Sequence, residues 1–402
     1  MTRYGIVLLL ALINPLGALA GDWLQFRGNN ANCVSGDKNL PRHIAQETIH
    51  WAAELPGGGL SGPIVIGDRV LVTSSSGFHQ DRLHVLCFST ESGNLHWERQ
   101  FWATGSTTCH EMMRVATPTP ASDGERIFAL YSSNDLVCLD LDGRLLWYRS
   151  LALEYPNASN SLGMASSPVV VGETVILQIE SDAEAFAMGV HAATGMTRWT
   201  IPRSRLSNWT SPTILGSETS ELQHVVLQSQ TGIDVVHPQT GEIAWSFQRN
   251  SATTPSSTVS GKTVFGVSQG LTALEANALG DDFEELWSAQ KLDPGNSSPV
   301  VDENRIYVVS GNILKAGDTK TGKMIWRTRL GGDLQFWSTP LLANQHLYLF
   351  DHRGRVNVVH LGSQQGKVVS EYDLGETILC TPAASNGAIY IRSHQHLWKL
   401  AN

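Results

Sequence analysis

Short runs of apolar residues alternate with turn residues along almost the whole chain, and one short pattern returns eight times. A clear copy is SSPVVVG at residues 166–172. The stretch 297–326 divides into four such runs, which are separated by Asp, Asn, Gly and Thr-Gly turns. Runs of this kind predict short antiparallel β-strands joined by hairpins.

The copies begin at prolines spaced 41 to 55 residues apart, namely Pro63, Pro118, Pro168, Pro212, Pro255, Pro299, Pro340 and Pro382. A repeat of this length with four short strands is typical of a propeller blade. After residue 20 we find no apolar spacing of the i, i+3, i+4 type, which helical arrays would show. We therefore predict an all-β fold, an eight-bladed β-propeller of four-stranded antiparallel blades.

A second marker runs in step with the first, because a tryptophan follows four residues after a turn glycine, as in Gly143 and Trp147. We expect these rings on the outermost strands, where each packs against a neighbouring blade rather than forming a cofactor site. The predicted structural set is Trp51, Trp97, Trp147, Trp199, Trp245, Trp287 and Trp326.

The two ends of the chain predict how the ring closes. The last repeat stops after its third strand near Leu400, whereas residues 48–52 precede the first repeat and carry Trp51. We expect this N-terminal strand to complete the eighth blade, so that residues 21–402 form a single propeller domain.

Residues 1–20 have the features of a secretory signal peptide, with Arg3, an apolar stretch and the small-residue pattern Ala18-Leu19-Ala20. The alternative is a membrane anchor, but Asn14 and Pro15 interrupt the apolar run. We expect export to the periplasm or the extracellular space, with no membrane span.

The charge of the chain restricts the class of partner that it can bind. With 28 basic against 37 acidic residues, the net charge of −9 argues against nucleic-acid binding.

Motifs that could carry chemistry are incomplete in this sequence. The five cysteines have no metal-finger spacing, and a disulfide between Cys109 and Cys380 remains an open alternative. GVSQG around Ser268 fits a serine-hydrolase pattern, but a strand follows it instead of a helix. We therefore assign no catalytic residue and no metal site.

Residues just upstream of several repeat starts should lie together where the central channel opens. They include aromatic, amide and ionisable side chains, a mixture that suits a small-ligand or peptide site. The alternative is that the tryptophans plug a narrow channel and the charged residues form a surface ion pair. The candidate set is His110, Glu111, Arg114, Asn160, Asn208, Trp209, Phe336 and Trp337.

The Ser/Thr-Pro starts, the Thr-Gly turns and the tryptophan spacing together resemble the pyrroloquinoline quinone (PQQ)-like propeller repeat family. The opening DWLQFRG at residues 22–28 is similar to that of exported bacterial members. One branch, the quinoprotein alcohol dehydrogenases, implies adjacent cysteines and calcium-binding Glu, Asn and Asp residues, which this sequence does not match. The other branch resembles BamB, a scaffold subunit of the outer-membrane β-barrel assembly machinery, although the lipid-anchor cysteine of that subunit is lacking here.

From this resemblance we expect a non-enzymatic, monomeric scaffold that binds a protein or small ligand at the channel face, without a cofactor. The first alternative is an oxidoreductase that uses PQQ with calcium or another ligand. The second is a hydrolase that uses the polar residues of the channel mouth.

Overall fold

Eight sheets of four or five strands surround a central channel in the computed structural model, which describes residues 21–216, 223–302, 304–331 and 335–402. This architecture confirms the predicted eight-bladed propeller. The expected signal peptide at residues 1–20 lies outside the described residues. In the part of the chain that is described, no helix has both the length and the apolar character needed to cross a membrane.

Two strands precede the first repeat, β1 (Val34–Ser35) and β2 (Ile49–Glu54). Blade 1 consists of β3 (Ile64–Ile66), β4 (Arg69–Ser76), β5 (Arg82–Ser89) and β6 (Leu95–Trp102). Blade 2 consists of β7 (Ala121–Ser122), β8 (Arg126–Leu130), β9 (Asp135–Asp140) and β10 (Leu145–Ser150). Blade 3 consists of β11 (Val169–Val171), β12 (Thr174–Glu180), β13 (Ala185–His191) and β14 (Thr197–Pro202). Blade 4 consists of β15 (Thr213–Leu215), β16 (His224–Ser229), β17 (Gly232–Val236) and β18 (Ile243–Gln248).

Blade 5 consists of β19 (Thr258–Ser260), β20 (Thr263–Gly266), β21 (Leu271–Ala276) and β22 (Phe283–Ala289). Blade 6 consists of β23 (Val300–Val301), β24 (Arg305–Ser310), β25 (Ile313–Asp318) and β26 (Met324–Arg329). Blade 7 consists of β27 (Leu341–Ala343), β28 (His346–Phe350), β29 (Arg355–Leu361) and β30 (Gly366–Asp373). Blade 8 contains β31 (Ala383–Ser385), β32 (Ala388–Arg392) and β33 (His396–Ala401). The described helices are short: α1 (Leu151–Glu154) and 3₁₀ turns at Gln46–Thr48 and Gln290–Leu292.

Burial changes from the inner to the outer strands of a blade. Every residue of β12 is buried, because both faces of a middle strand are covered by neighbouring blades. The outermost strand β18 instead alternates between exposed and buried positions. The core therefore lies between blades rather than in one central cluster.

The strand β2 completes blade 8, because it pairs antiparallel with β33, with Ala52 opposite Trp398. This pairing joins the two ends of the ring, as the truncated last repeat indicates. The second early strand, β1, was not predicted. It lies parallel to β27, with Val34 opposite Leu342, and gives blade 7 a fifth strand on its inner edge.

Hydroxyl groups at the blade starts link neighbouring blades around the channel. The backbone N–H of Ser167 donates to the Ser211 hydroxyl at 2.9 Å, and that of Ser211 donates to Ser256 at 2.9 Å. Equivalent bonds join Gly62 to Thr119, Thr119 to Ser167, Ser256 to Ser298, and Thr339 to Thr381. The Ser/Thr preference at these positions therefore has a physical cause: the side chain accepts a buried N–H from the preceding blade.

This ring corrects two of the repeat anchors. Residues two before the first strand of each blade are equivalent, which makes Thr119 and Ser256 the ring positions of blades 2 and 5. The repeat proline of blade 2 is therefore Pro120 and not Pro118. Blade 5 has Ser257 at the proline position, and Pro255 precedes the ring residue. The sequence analysis placed both anchors two residues too early, because the pairs Thr117-Pro118 and Thr254-Pro255 resemble the repeat start.

Candidate functional site

The connections between blades and the hairpins between second and third strands lie on one face of the ring, here called the mouth face. Gln80, in the hairpin after β4, shows this arrangement because its side chain contacts the connection from blade 1 to blade 2. It donates to the Cys109 thiol at 3.5 Å and accepts from the Val115 N–H at 3.3 Å. The remaining turns of each blade lie on the opposite face, here called the turn face.

The N-terminal segment 23–33 crosses the channel and closes it below the mouth. It contacts blades 1, 2, 3, 5 and 7 through backbone or side-chain bonds of Trp23 to Val65, Leu24 to Ser122, Gln25 to Val170, Arg27 to Ser257 and Cys33 to Leu342. This explains the DWLQFRG motif, whose side chains reach different blades. This segment therefore lies across the channel below the mouth.

A cavity of about 380 Å³ opens above this segment, here called the axial cavity. Phe26 faces it from the closing segment, and Trp209 and Trp337 lie in its wall. Other walls are Leu60, Met112, Met113, Leu162, Leu379 and the ring residues Ser167, Ser211, Ser256, Ser298, Thr339 and Thr381. The cavity is thus mainly apolar, with hydroxyl groups as its regular polar feature.

A second cavity, of about 450 Å³, adjoins the first and is here called the arginine pocket. It shares the walls Leu60, Met112, Leu379 and Cys380 with the axial cavity. Its polar lining comes from Glu111, Arg114, His352, Thr377, Arg392, Ser393 and His394. The mouth therefore joins an apolar chamber to a cationic one.

Five of the eight predicted mouth residues line these cavities. His110, Trp209 and Trp337 line the axial cavity, and Glu111 and Arg114 line the arginine pocket. The Trp209 indole N–H donates to the Gly163 carbonyl at 2.7 Å, which fixes the ring in place. The alternative, a surface ion pair among His110, Glu111 and Arg114, is not found among the ion pairs of the described residues. Arg114 donates instead to the backbone carbonyl of Glu111 at 2.6 Å.

The other three predicted residues do not line either cavity. The Asn160 side chain accepts from the Leu162 N–H at 2.8 Å and so shapes the loop that presents Leu162. Asn208 is buried and donates to the Gln228 carbonyl at 3.0 Å. Phe336 is part of the hydrophobic core. The sequence could not separate these residues from their neighbours because a loop has no fixed periodicity that would assign each side chain to one side.

Arg392 is the main site residue that the sequence analysis missed. It lies at the end of β32, is 1% exposed, and donates to the Ser61 and Ser74 hydroxyls at 3.1 and 3.0 Å. Burial lowers the pKa of its guanidinium to about 10. A single arginine at a strand end does not indicate a site in the sequence. The three consecutive glycines at 57–59 could have indicated one, because such a run allows side chains to approach the backbone closely.

All five cysteines are free, so the disulfide left open between Cys109 and Cys380 is not formed. The Cys380 thiol donates to the Arg392 carbonyl at 3.0 Å, and burial raises its pKa to about 12. A thiol in this state is a poor nucleophile. Among the described residues, no group of three His, Cys, Asp or Glu side chains is placed to hold a metal ion.

Large apolar side chains are exposed on the mouth face. Phe78, at the tip of the hairpin after β4, is 96% exposed; Trp102, at the end of β6, is 64% exposed; and Leu153, in α1, is 77% exposed. The elements that carry them adjoin one another, since the Ala103 N–H donates to the Asp81 carbonyl and a Cβ on Gly105 would lie 2.6 Å from that of Ala152. Phe78, Trp102 and Leu153 are together here called the Phe78 rim.

Comparisons with a family profile and with a curated protein point to the same family. The profile of the family described as "Outer membrane protein assembly factor BamB" matches residues 43–229 and 229–401. A BamB of this description from Legionella pneumophila (strain Paris) is 24% identical over 221 residues, which is 54% of this chain and 50% of that protein. The alignment thus spans half the length of that relative.

Solved structures share the fold at low identity. BamB from Moraxella catarrhalis aligns with a TM-score of 0.64 and 15% identity, covering 88% of this chain and 97% of that one. A europium-containing methanol dehydrogenase aligns with a TM-score of 0.72 and 11% identity, covering 95% and 98%. The quinohemoprotein alcohol dehydrogenase of Comamonas testosteroni gives 0.70 and 12%, covering 95% and 81%. At these identities the likeness shows the fold alone.

Proposed function

Because this chain belongs to the family of the outer membrane protein assembly factor BamB, we propose that it is an exported, non-enzymatic scaffold whose mouth face binds a partner protein. Its matched relatives carry the description of assembly factors, and that role comes to this chain as part of the proposal. The expected export through residues 1–20 and the monomeric state belong to the same proposal.

The Phe78 rim is the observation that carries this proposal. Exposed Phe78 and Trp102, on neighbouring elements of the same face, leave apolar surface in water, which is unfavourable unless a partner covers it. Aromatic side chains are enriched at the centres of protein interfaces, where they contribute much of the binding energy. Exposed apolar side chains also occur on the turn face, for example Met196 at 70% exposure. Met196 therefore provides a matched control.

The resemblance to quinoprotein alcohol dehydrogenases raises PQQ with calcium as the alternative cofactor. Calcium takes six to eight oxygen ligands, commonly including carboxylates. Among the described residues that line the axial cavity none is Asp or Glu. Its cysteine, Cys380, has no cysteine neighbour in sequence. These residues do not fit PQQ with calcium, and we propose function without it.

The proposal is tested by affinity capture from the native cell envelope with tagged chains. Wild-type protein should retain one partner polypeptide, identified by mass spectrometry, that the Phe78→Ser/Trp102→Ser double variant loses. The Met196→Ser variant should retain it. Equal capture by the rim variant and wild type would contradict partner binding at this rim.

A further inference from the structure

The arginine pocket brings two guanidinium groups together with no ion-paired carboxylate. Arg392 is buried, and its bonds go to neutral acceptors: the Ser61 and Ser74 hydroxyls and the Thr73 and Gly57 carbonyls. Arg114 donates to two backbone carbonyls, those of Glu111 and Met113. Among the described residues, no ion pair includes either arginine.

The charge in this pocket is only partly balanced by nearby acids. Glu111 lines the pocket from an exposed position. Glu376 is engaged elsewhere, because its carboxylate accepts from the Ser393 hydroxyl, the Gln395 N–H and the His396 ring. A buried arginine is costly unless a negative charge or several hydrogen bonds compensate it. The Nε of Arg392 is buried and has no partner atom.

The three-glycine run at 57–59 makes room for this arrangement. A Cβ on Gly58 would lie 2.7 Å from Nε of Arg114, and a Cβ on Gly59 would lie 2.2 Å from Nη1 of Arg392. Two consecutive glycines therefore let two arginine side chains lie against the same backbone. Burial lowers the pKa of His394, and the charges of Arg114 and Arg392 lower it further, so like charges converge on this pocket.

We propose that the arginine pocket binds the carboxylate of an amphipathic ligand, with Arg114 and Arg392 facing the carboxylate and the apolar part of the ligand in the adjoining axial cavity. Guanidinium groups match carboxylates in charge and geometry. The shared walls, Leu60, Met112, Leu379 and Cys380, connect the two chambers. The carboxylate can come from a free organic acid or from the C-terminus of a peptide.

The test uses the purified chain alone, so its outcome is independent of partner docking at the Phe78 rim. Isothermal titration calorimetry compares 4-phenylbutyrate with its neutral amide, 4-phenylbutyramide. We expect the acid to bind about tenfold or more tightly than the amide, because a charge-assisted hydrogen bond is stronger than a neutral one. A parallel pair, acetyl-Ala-Leu-Leu with a free or an amidated C-terminus, distinguishes the two sources. Tighter binding of either free acid than of its amide supports the proposed carboxylate site. Tighter binding of the peptide acid than of its amide shows that a peptide C-terminus can supply the carboxylate.

Variants locate the binding. Arg114→Gln should reduce affinity for the preferred acid about tenfold and leave that for its amide unchanged. The control Arg144→Gln removes an exposed arginine on the turn face and should change neither affinity. Gly58→Ala retains both charges but displaces Arg114, so it should also reduce affinity for the acid and not for the amide. This variant tests the geometry of the pocket without replacing the buried Arg392.

Three results would overturn the proposal. One is equal affinity of the wild-type chain for each acid and its matched amide. Another is loss of acid and amide affinity to the same extent in Arg114→Gln. The third is no measurable binding of either acid up to about 10 mM, a concentration at which even a weak single-site ligand would be detected.

Discussion

The indole ring of Trp97 in blade 1 lies against Gly143 of blade 2, and its N–H donates to the Leu141 carbonyl at 3.0 Å. The same contact recurs around much of the ring, since Trp51, Trp147, Trp199, Trp287 and Trp326 lie against Gly93, Gly195, Gly241, Gly322 and Gly366. The turn glycine therefore has two roles. It adopts a positive φ in most blades, and it leaves room for the tryptophan of the preceding blade.

Gly143→Ala should destabilise the fold more than Gly124→Ala does. Both glycines have positive φ, 78° and 90°, but a Cβ on Gly143 would lie 2.7 Å from Trp97, whereas one on Gly124 would meet nothing within 4 Å. Backbone strain should cost about 1–2 kcal/mol at each site. The clash should add about 1–3 kcal/mol at Gly143. Urea unfolding of both variants measures the difference, and equal losses would show that the tryptophan contact carries no energy.

Ser211→Ala should lower the free energy of unfolding by about 1–3 kcal/mol, because it leaves the buried N–H of Ser167 without an acceptor. Ser211→Thr retains the hydroxyl and should remain close to wild type, since threonine occupies the equivalent ring positions 119, 339 and 381. Chemical denaturation compares the three proteins. An alanine variant as stable as the threonine variant would contradict a stabilising hydroxyl ring.

Deletion of residues 46–52 should cause large destabilisation, because it removes most of β2, the outermost strand of blade 8. We expect the melting temperature to fall by more than about 10 °C. Replacing the same residues by a Gly-Ser segment of equal length separates loss of the strand from shortening of the chain, and should destabilise similarly. An unchanged melting temperature in either variant would mean that this strand does not close the ring.

Trp209→Ala, Trp337→Ala and Arg114→Ala should each weaken capture of a ligand or partner by about 1–4 kcal/mol if the mouth binds it directly. Lys262→Ala, on the turn face, removes an exposed cation and should change nothing. Melting curves must accompany the binding data. Variants that melt lower but bind like wild type would identify these residues as packing.

Addition of PQQ and calcium should produce no dye reduction with alcohols or aldose sugars above a boiled control. The reason is the lack of carboxylates among the described residues lining the axial cavity. The measurement is a spectrophotometric assay with and without each additive. Calcium-dependent turnover above the boiled control would establish the oxidoreductase alternative instead.

The fold was accessible from the sequence because each blade repeats the same local signals. Turn glycines, Ser/Thr-Pro starts and period-two strands act within one blade, so eight copies reinforce one interpretation. Thr119 and Ser256 show the limit, since a nearby second Thr-Pro pair or a missing proline shifts the apparent start of a blade by two residues. The strand β1 was missed because two residues carry no periodicity.

The site was less accessible because it depends on contacts between distant parts of the chain. His110, Trp209 and Trp337 could be placed from their position upstream of a blade start. Arg392 could not, since it meets Ser61 and Ser74 only after the ring closes. The contacts of the segment around Arg27 could not be predicted for the same reason, because its partner Ser257 is 230 residues away in the sequence.

In-cell photocrosslinking tests the proposed scaffold role most directly. A photoreactive phenylalanine replaces Phe78 on the mouth face in one chain and Met196 on the turn face in another, two positions of comparably high exposure. The proposal predicts a discrete crosslinked adduct with one envelope protein from position 78 and not from position 196. No adduct at position 78, or the same adduct with equal yield at both positions, would contradict partner binding at the mouth face.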